Sequence, residues 1–113
     1  MKIEIVALLI SLCSIGDIEV CPGVMMKTQD STAVAQYAIS PKSGKHYVLV
    51  GNRNYKRLSD REQKETLVHE LAHGKVYEDH GVASHNHGKK FKKACKYLVE
   101  KTGVSMSTCK ASI

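Results

Sequence analysis

The stretch from residue 59 to residue 80, SDREQKETLVHELAHGKVYEDH, carries the strongest structural signal in the chain because it predicts one long amphipathic helix. It opens with a capping box, in which the hydroxyl of Ser59 can accept from the backbone N–H of Glu62 while the Glu62 carboxylate accepts from the N–H of Ser59. Apolar residues then cover one half of the helix circumference, and Gly81 follows as a terminating glycine. We therefore predict a helix from residue 60 to about residue 80.

Within this helix lies the pattern His69-Glu70-Leu71-Ala72-His73. Two residues four positions apart lie about 40° apart around a helix axis and one turn along it, so both imidazoles can reach one Zn²⁺ ion. Glu70 lies beside His73, near enough to take a proton from water at the metal without being a ligand. The alternative is that two exposed histidines bracket a glutamate by accident, which the helical context of the motif disfavours. We predict His69 and His73 as zinc ligands and Glu70 as the catalytic base.

A catalytic zinc site needs a third protein ligand beside these two imidazoles. Asp79 stands where a metzincin ligand would, but that motif also needs glycine at position 76, where the chain has Val76. His80 lies too far along the same helix and is better explained as a cation at the helix C-terminus. Glu100 is better explained as a solvated or lysine-paired residue near the end of the last helix. The predicted helix over residues 60–80 is called the metal helix below. The loop that follows it offers His85 and His87, and spacing alone does not decide which of the two is the third ligand.

The pattern H-E-L-A-H at 69–73 followed by H-G-K-K-F at 87–91 resembles the SprT-like zinc peptidases, the group that includes the Spartan proteases. The resemblance implies zinc-dependent peptide-bond hydrolysis, with His87 as the third ligand and Phe91 packing the last helix against the metal helix. His85 then remains a reserve ligand. The resemblance is specific over about half of the chain and covers the first 50 residues only in outline.

Two departures from the family pattern matter. Many members carry proline after the H-G pair, where this chain has Lys89. Many also carry a C-terminal zinc ribbon, which Cys95 and Cys109 cannot make. The chain therefore resembles a minimal form of the family.

The remaining pattern predicts a single α+β domain over residues 1–113 with a zincin-like arrangement. Its elements are an N-terminal helix, a small and mainly antiparallel sheet of about three strands, the metal helix and a packed C-terminal helix. The expected bounds are a helix over 2–15, one or two strands within 18–28, a β-hairpin of 33–40 with 46–50, and a helix through Phe91 that Gly103 ends. The Ser/Thr/Lys-rich residues from about 104 to 113 are expected to fray.

The net charge of +6 favours a polyanionic partner. The last helix is rich in lysine, and Spartan-type members degrade proteins crosslinked to DNA, so the resemblance implies DNA contact beside a protein or peptide substrate. The same lysines are equally well explained as the wet side of an amphipathic helix. A non-catalytic, zinc-stabilised nucleic-acid-binding domain is therefore the competing function, and we expect a monomer in either case.

The four cysteines Cys13, Cys21, Cys95 and Cys109 form no C-x-x-C pair, which argues against a thioredoxin-type site. We predict free thiols in a reducing compartment, with a Cys13–Cys21 disulfide as the less favoured alternative. The apolar N-terminus invites comparison with a secretory signal, but Glu4 and the lack of a clear cleavage site argue against one. The same apolar run is too short to span a bilayer. We therefore predict a cytoplasmic protein without a membrane segment.

Overall fold

The computed structural model describes residues 2–27, 34–81 and 87–110. Its elements, in chain order, are α1 (Lys2–Ile15), β1 (Gly23–Lys27), β2 (Ala35–Ile39), β3 (His46–Gly51), α2 (Asn52–Lys56), α3 (Asp60–His80) and α4 (Lys89–Thr102). A short 3₁₀ helix, Met106–Cys109, follows and is called the C-terminal turn below. The predicted α+β class is confirmed.

The helix α3 has the ends that its sequence predicts. The N–H of Glu62 donates to Ser59 Oγ at 3.2 Å, and the N–H of Ser59 donates to Glu62 Oε1 at 3.1 Å. At the other end Gly81 adopts a left-handed conformation (φ 70°), and its N–H donates to the carbonyl of Tyr77 at 2.7 Å. Both ends satisfy backbone groups that the helix alone would leave unpaired.

The sheet has the order β1-β3-β2, with β3 in the centre. β2 and β3 form the predicted antiparallel hairpin, which the N–H of Ser40 closes by donating to the carbonyl of Lys45 at 2.8 Å. β1 pairs with β3 in parallel, so the sheet is mixed rather than mainly antiparallel. The hairpin carries a local turn signal, whereas the direction of β1 depends on the path of the chain between β1 and β2, which side-chain alternation does not reveal.

The helix α1 packs one face into the core that α3, α4 and the sheet share. Its buried residues, Ile5, Leu9, Leu12 and Cys13, recur at helical spacing. The opposite face carries Ile3 at 84% exposure. The helix α1 therefore contributes four residues to the core.

The prediction of free thiols is wrong, and the less favoured alternative of a Cys13–Cys21 disulfide is confirmed. Disulfides join Cys13 to Cys21 and Cys95 to Cys109, with Cα–Cα distances of 5.7 Å in each case, and no cysteine is free. Sequence spacing could not reveal this because a disulfide requires two cysteines to meet in space, which here depends on the packing of α1 and α4. The cytoplasmic location stays a prediction and loses the support of free thiols, since disulfides persist mainly in oxidising compartments.

The prediction of a frayed tail is also wrong for the residues up to 110. The C-terminal turn buries Thr108 and Cys109, and the hydroxyl of Ser105 caps it by accepting from the N–H of Ser107 at 3.2 Å. The disulfide to Cys95 attaches this turn to α4, a tertiary constraint that polar composition does not report. Residues 111–113 lie outside the described part of the chain.

Within residues 2–27, 34–81 and 87–110, each helix lacks either the length or the hydropathy that a bilayer-spanning segment requires.

The edge strand β2 meets α3 at Gly74. A Cβ atom built at Gly74 would lie 2.7 Å from the hydroxyl of Tyr37 and 2.8 Å from two of its ring carbons. The Tyr37 ring is buried, and its hydroxyl is hydrogen-bonded to Nδ1 of His46, so it cannot simply move aside. The absence of a side chain at position 74 is what lets the strand approach the metal helix.

Replacing Gly74 with alanine should lower the free energy of unfolding by roughly 1–3 kcal/mol, because the clash outweighs the better helix propensity of alanine. In a Tyr37→Ala background the same change should raise stability, since the ring is gone and the propensity gain remains. Urea unfolding of the four proteins in this double-mutant cycle measures the sign change. A stabilising Gly74→Ala substitution in the unaltered background would contradict the close contact.

Candidate metal centre

Three imidazoles converge on one point between α3 and α4. His69 and His73 lie one turn apart on α3, and His87 comes from the segment that leads into α4. Each offers a ring nitrogen, and these three atoms all lie within 4.8 Å of one another. The ring centroids are 4.9 Å apart for His73 and His87, 5.1 Å for His69 and His87, and 5.3 Å for His69 and His73.

Phe91 packs against all three rings. Its centroid lies 4.9 Å from that of His69, 4.5 Å from that of His73 and 4.7 Å from that of His87, and the side chain is 1% exposed. Phe91 lies four residues after His87, in the first turn of α4. This aromatic holds α4 against the metal helix, as the family resemblance implies, and restricts the rotation of the imidazoles.

The hydrogen bond of His69 defines which of its nitrogens faces the other two rings. Nδ1 of His69 lies 2.8 Å from the backbone carbonyl oxygen of Thr108. A carbonyl oxygen can only accept, so Nδ1 must carry the hydrogen and donate. Nε2 of the neutral ring is then left with a free lone pair, and it lies 3.2 Å from Nε2 of His87.

These distances fit a zinc ion. Tetrahedral zinc with nitrogen ligands at about 2.0–2.1 Å places two ligand atoms about 3.3 Å apart, close to the separation of His69 Nε2 and His87 Nε2. Imidazole nitrogens also suit zinc better than the oxygen-preferring Mg²⁺ or Ca²⁺. Among the described residues, the group contains three histidines and no fourth His, Cys, Asp or Glu.

Glu70 lies between the two α3 histidines in sequence and is itself only 8% exposed. Burial raises the pKa of its carboxyl group to about 7, and a hydrogen bond from the backbone of Tyr37 acts in the opposite direction. A carboxyl group in this position can hold or release a proton near neutral pH more readily than an exposed glutamate.

The other ligand candidates do not join the cluster. His80 is exposed at the end of α3, Glu100 is exposed on α4, and Asp79 pairs with Lys75 at 3.4 Å. None of them belongs to the described group of metal-binding side chains. His85 falls within residues 82–86 and lies outside the described residues.

One functional group had no signal in the sequence. The carbonyl of Thr108 is a backbone atom, so no residue type marks it, and it lies in the segment that composition predicted to fray. Only the packing of the C-terminal turn against α3 brings it to His69.

Comparison with known proteins identifies a matching family and a similar fold. The profile of the SprT-like family matches residues 19–110. The fold is similar to that in the crystal structure of the metallopeptidase zymogen of Pyrococcus abyssi abylysin, with a TM-score of 0.62, 20% sequence identity and coverage of 88% of this chain and 85% of the other. No match was found among curated proteins.

Three single variants test the ligand set: His69→Ala, His73→Ala and His87→Ala. Loss of a group that only supports a ligand typically weakens metal binding by roughly 10- to 100-fold. Each of these variants removes a ligand itself, so we expect a larger loss of zinc affinity. Replacing His80 with alanine should leave the affinity unchanged, since this exposed histidine on the same helix lies outside the cluster. Competition with a chromophoric chelator measures both. A His87→Ala variant with unaltered affinity would remove His87 from the ligand set.

Proposed function

We propose, since this chain belongs to the SprT-like family, that it is a zinc metallopeptidase that cleaves internal peptide bonds of proteins. The observation that carries the proposal is that three imidazoles converge, with one nitrogen of each within 4.8 Å of the others. The helix that carries two of them, His69 and His73, also carries the buried Glu70. A metal group that served stability alone would not need a buried carboxyl group next to it. The substrate class is a protein or an extended peptide, and because all of the site residues come from one chain we propose that a single copy suffices.

His69, His73 and His87 would hold the zinc ion. When bound, the ion supplies a Lewis acid that activates water and polarises the carbonyl of the scissile bond. Glu70 would accept the proton that the attacking water loses and pass it to the amine nitrogen that leaves. Phe91 closes one side of the three rings and keeps solvent from their far face.

The outer edge of β2 supports an extended binding mode for the substrate. The carbonyl of Val34 accepts from the N–H of Gly51, so alternate residues of β2 pair with β3. The backbone groups of Ala35, Tyr37 and Ile39 point to the outer edge, where the Tyr37 backbone contacts Glu70. The hydrogen bond from the Tyr37 backbone to Glu70 places the carboxyl group beside this edge. A peptide added as a further strand would therefore pass the catalytic glutamate.

Replacing Glu70 with glutamine should lower kcat by about 10²- to 10⁴-fold while zinc binding persists, because the amide cannot accept a proton but has nearly the same size. Cleavage of an unstructured protein such as casein, followed by gel electrophoresis or fluorescence, gives the rate, and metal analysis gives zinc content. The matched control is Glu100→Gln, the same change on the exposed face of α4, which should alter neither. Hydrolysis that survives Glu70→Gln would exclude Glu70 from proton transfer.

A nucleic-acid partner is supported by one surface. The helix α4 begins two residues after the ligand candidate His87, so its basic face starts next to the metal centre. Six lysines of α4 are exposed: Lys89, Lys90, Lys92, Lys93, Lys96 and Lys101. Lysine side chains bind the phosphate backbone without reading sequence. We propose DNA as a further partner. If the protein is a peptidase, DNA would bring it to DNA-associated proteins. The alternative function is a non-catalytic, zinc-stabilised domain that binds DNA.

Changing Lys89, Lys92 and Lys96 together to glutamine should weaken binding to double-stranded DNA, because glutamine cannot neutralise a phosphate. The slope of log affinity against log salt should fall by about 1 for each of these lysines that binds a phosphate in the unaltered chain. Fluorescence anisotropy over a series of salt concentrations measures both quantities.

The control for charge changes Lys42, Lys45 and Lys56 to glutamine, since these exposed lysines lie outside α4. Both triple variants have the same net charge, so an effect of net charge alone would appear equally in both. Equal weakening in the two variants would contradict a DNA site on α4.

A further inference from the structure

The C-terminal turn contacts the candidate metal centre through a backbone atom. The carbonyl oxygen of Thr108 accepts from Nδ1–H of His69 in a buried hydrogen bond of 2.8 Å. The two residues are 39 positions apart in the chain. The orientation of this ligand candidate therefore depends on a segment that carries no metal-binding side chain of its own.

This contact decides two properties of the His69 ring. It holds the hydrogen on Nδ1, which leaves the lone pair of Nε2 for an ion, and it limits rotation of the ring. Supporting hydrogen bonds of this kind typically contribute 10- to 100-fold to metal affinity. The position of the carbonyl should therefore affect the metal affinity of the site, although by less than loss of the imidazole would.

Two kinds of attachment hold the carbonyl in place. The residue after Thr108 is Cys109, whose disulfide to Cys95 joins the turn to α4. The Thr108 hydroxyl donates to Oε2 of Glu65 at 3.3 Å, and the Ser107 hydroxyl donates to the same oxygen at 3.5 Å. Glu65 lies one turn before His69 on α3, so neighbouring side chains of one helix hold the hydroxyl and the carbonyl of Thr108 together.

We infer that the C-terminal turn, locked by the Cys95–Cys109 disulfide, is a positioning element that sets the tautomer and orientation of His69 and thereby the zinc affinity of the site. The inference rests on the proposed zinc centre. It assigns the disulfide a role beyond general stability, because the bond is adjacent to the residue that contacts the ligand.

The second disulfide of the same chain provides a matched control. It joins Cys13 at the end of α1 to Cys21 in the segment before β1. The double variants Cys95→Ser/Cys109→Ser and Cys13→Ser/Cys21→Ser make the same chemical change at two places. We expect the first to weaken zinc binding by about 10- to 100-fold and the second to leave it within roughly threefold. Competition with a chromophoric chelator gives the affinities, and the visible spectrum of the Co²⁺-loaded proteins reports ligand geometry.

A readout without metal separates this inference from the zinc proposal. Long-range ¹H–¹⁵N NMR spectra of the metal-free protein report which nitrogen of His69 carries the hydrogen. We expect hydrogen on Nδ1 in the unaltered chain and in the Cys13/Cys21 variant, and a mixture of tautomers in the Cys95/Cys109 variant. Failure of the zinc proposal would appear as no zinc binding by the unaltered chain. Failure of this inference would appear as the same zinc affinity and the same His69 tautomer in both double variants.

Thr108 offers a test that keeps both disulfides, in case the Cys95/Cys109 variant does not fold. Thr108→Val removes the hydroxyl that binds Glu65 but retains the shape and the backbone carbonyl, whereas Thr108→Ser retains the hydroxyl. We expect the valine variant to lose zinc affinity and to show mixed His69 tautomers, and the serine variant to behave as the unaltered chain. If the valine variant matched the serine variant in both measurements, the positioning role would be overturned.

Discussion

Three imidazole rings packed around one point impose the geometry that the surrounding elements must maintain. With Nε2 of His69 only 3.2 Å from Nε2 of His87, two lone pairs cannot face each other without a proton or a cation between them. A cation resolves this for all three rings at once, whereas a proton serves only one pair. The fold must therefore hold His69, His73 and His87 in place before an ion arrives, and the elements around them do so.

Each wall of the site is made by a different kind of contact. Phe91 packs against all three imidazole rings. It therefore both joins α4 to α3 and limits rotation of the rings. Gly74 lets Tyr37 approach α3, which brings the edge of β2 to Glu70. The same short separation between strand and helix thus shapes the buried environment of the carboxyl group and brings it to the edge along which we propose that a peptide binds.

The C-terminal turn completes this arrangement from a distance in sequence. Its disulfide to Cys95 and its hydrogen bonds to Glu65 hold a backbone carbonyl against His69. Small domains bury less surface per residue than large ones, so covalent attachments compensate for a modest core. In a chain of 113 residues, one such attachment can stabilise the domain and, as we infer, also orient the ligand candidate His69.

Local sequence was sufficient to predict the helix α3 and the position of His69 and His73 on one side of it. The capping box defines where the helix begins, and helical geometry places residues four positions apart one turn from each other. The sequence also indicated His87 and Phe91 through a recognisable pair of motifs. The parallel pairing of β1, the pairing of the four cysteines and the contact of Thr108 with His69 became visible only in the packed molecule. These features depend on which distant segments meet when the chain packs, and neither residue type nor spacing records that meeting.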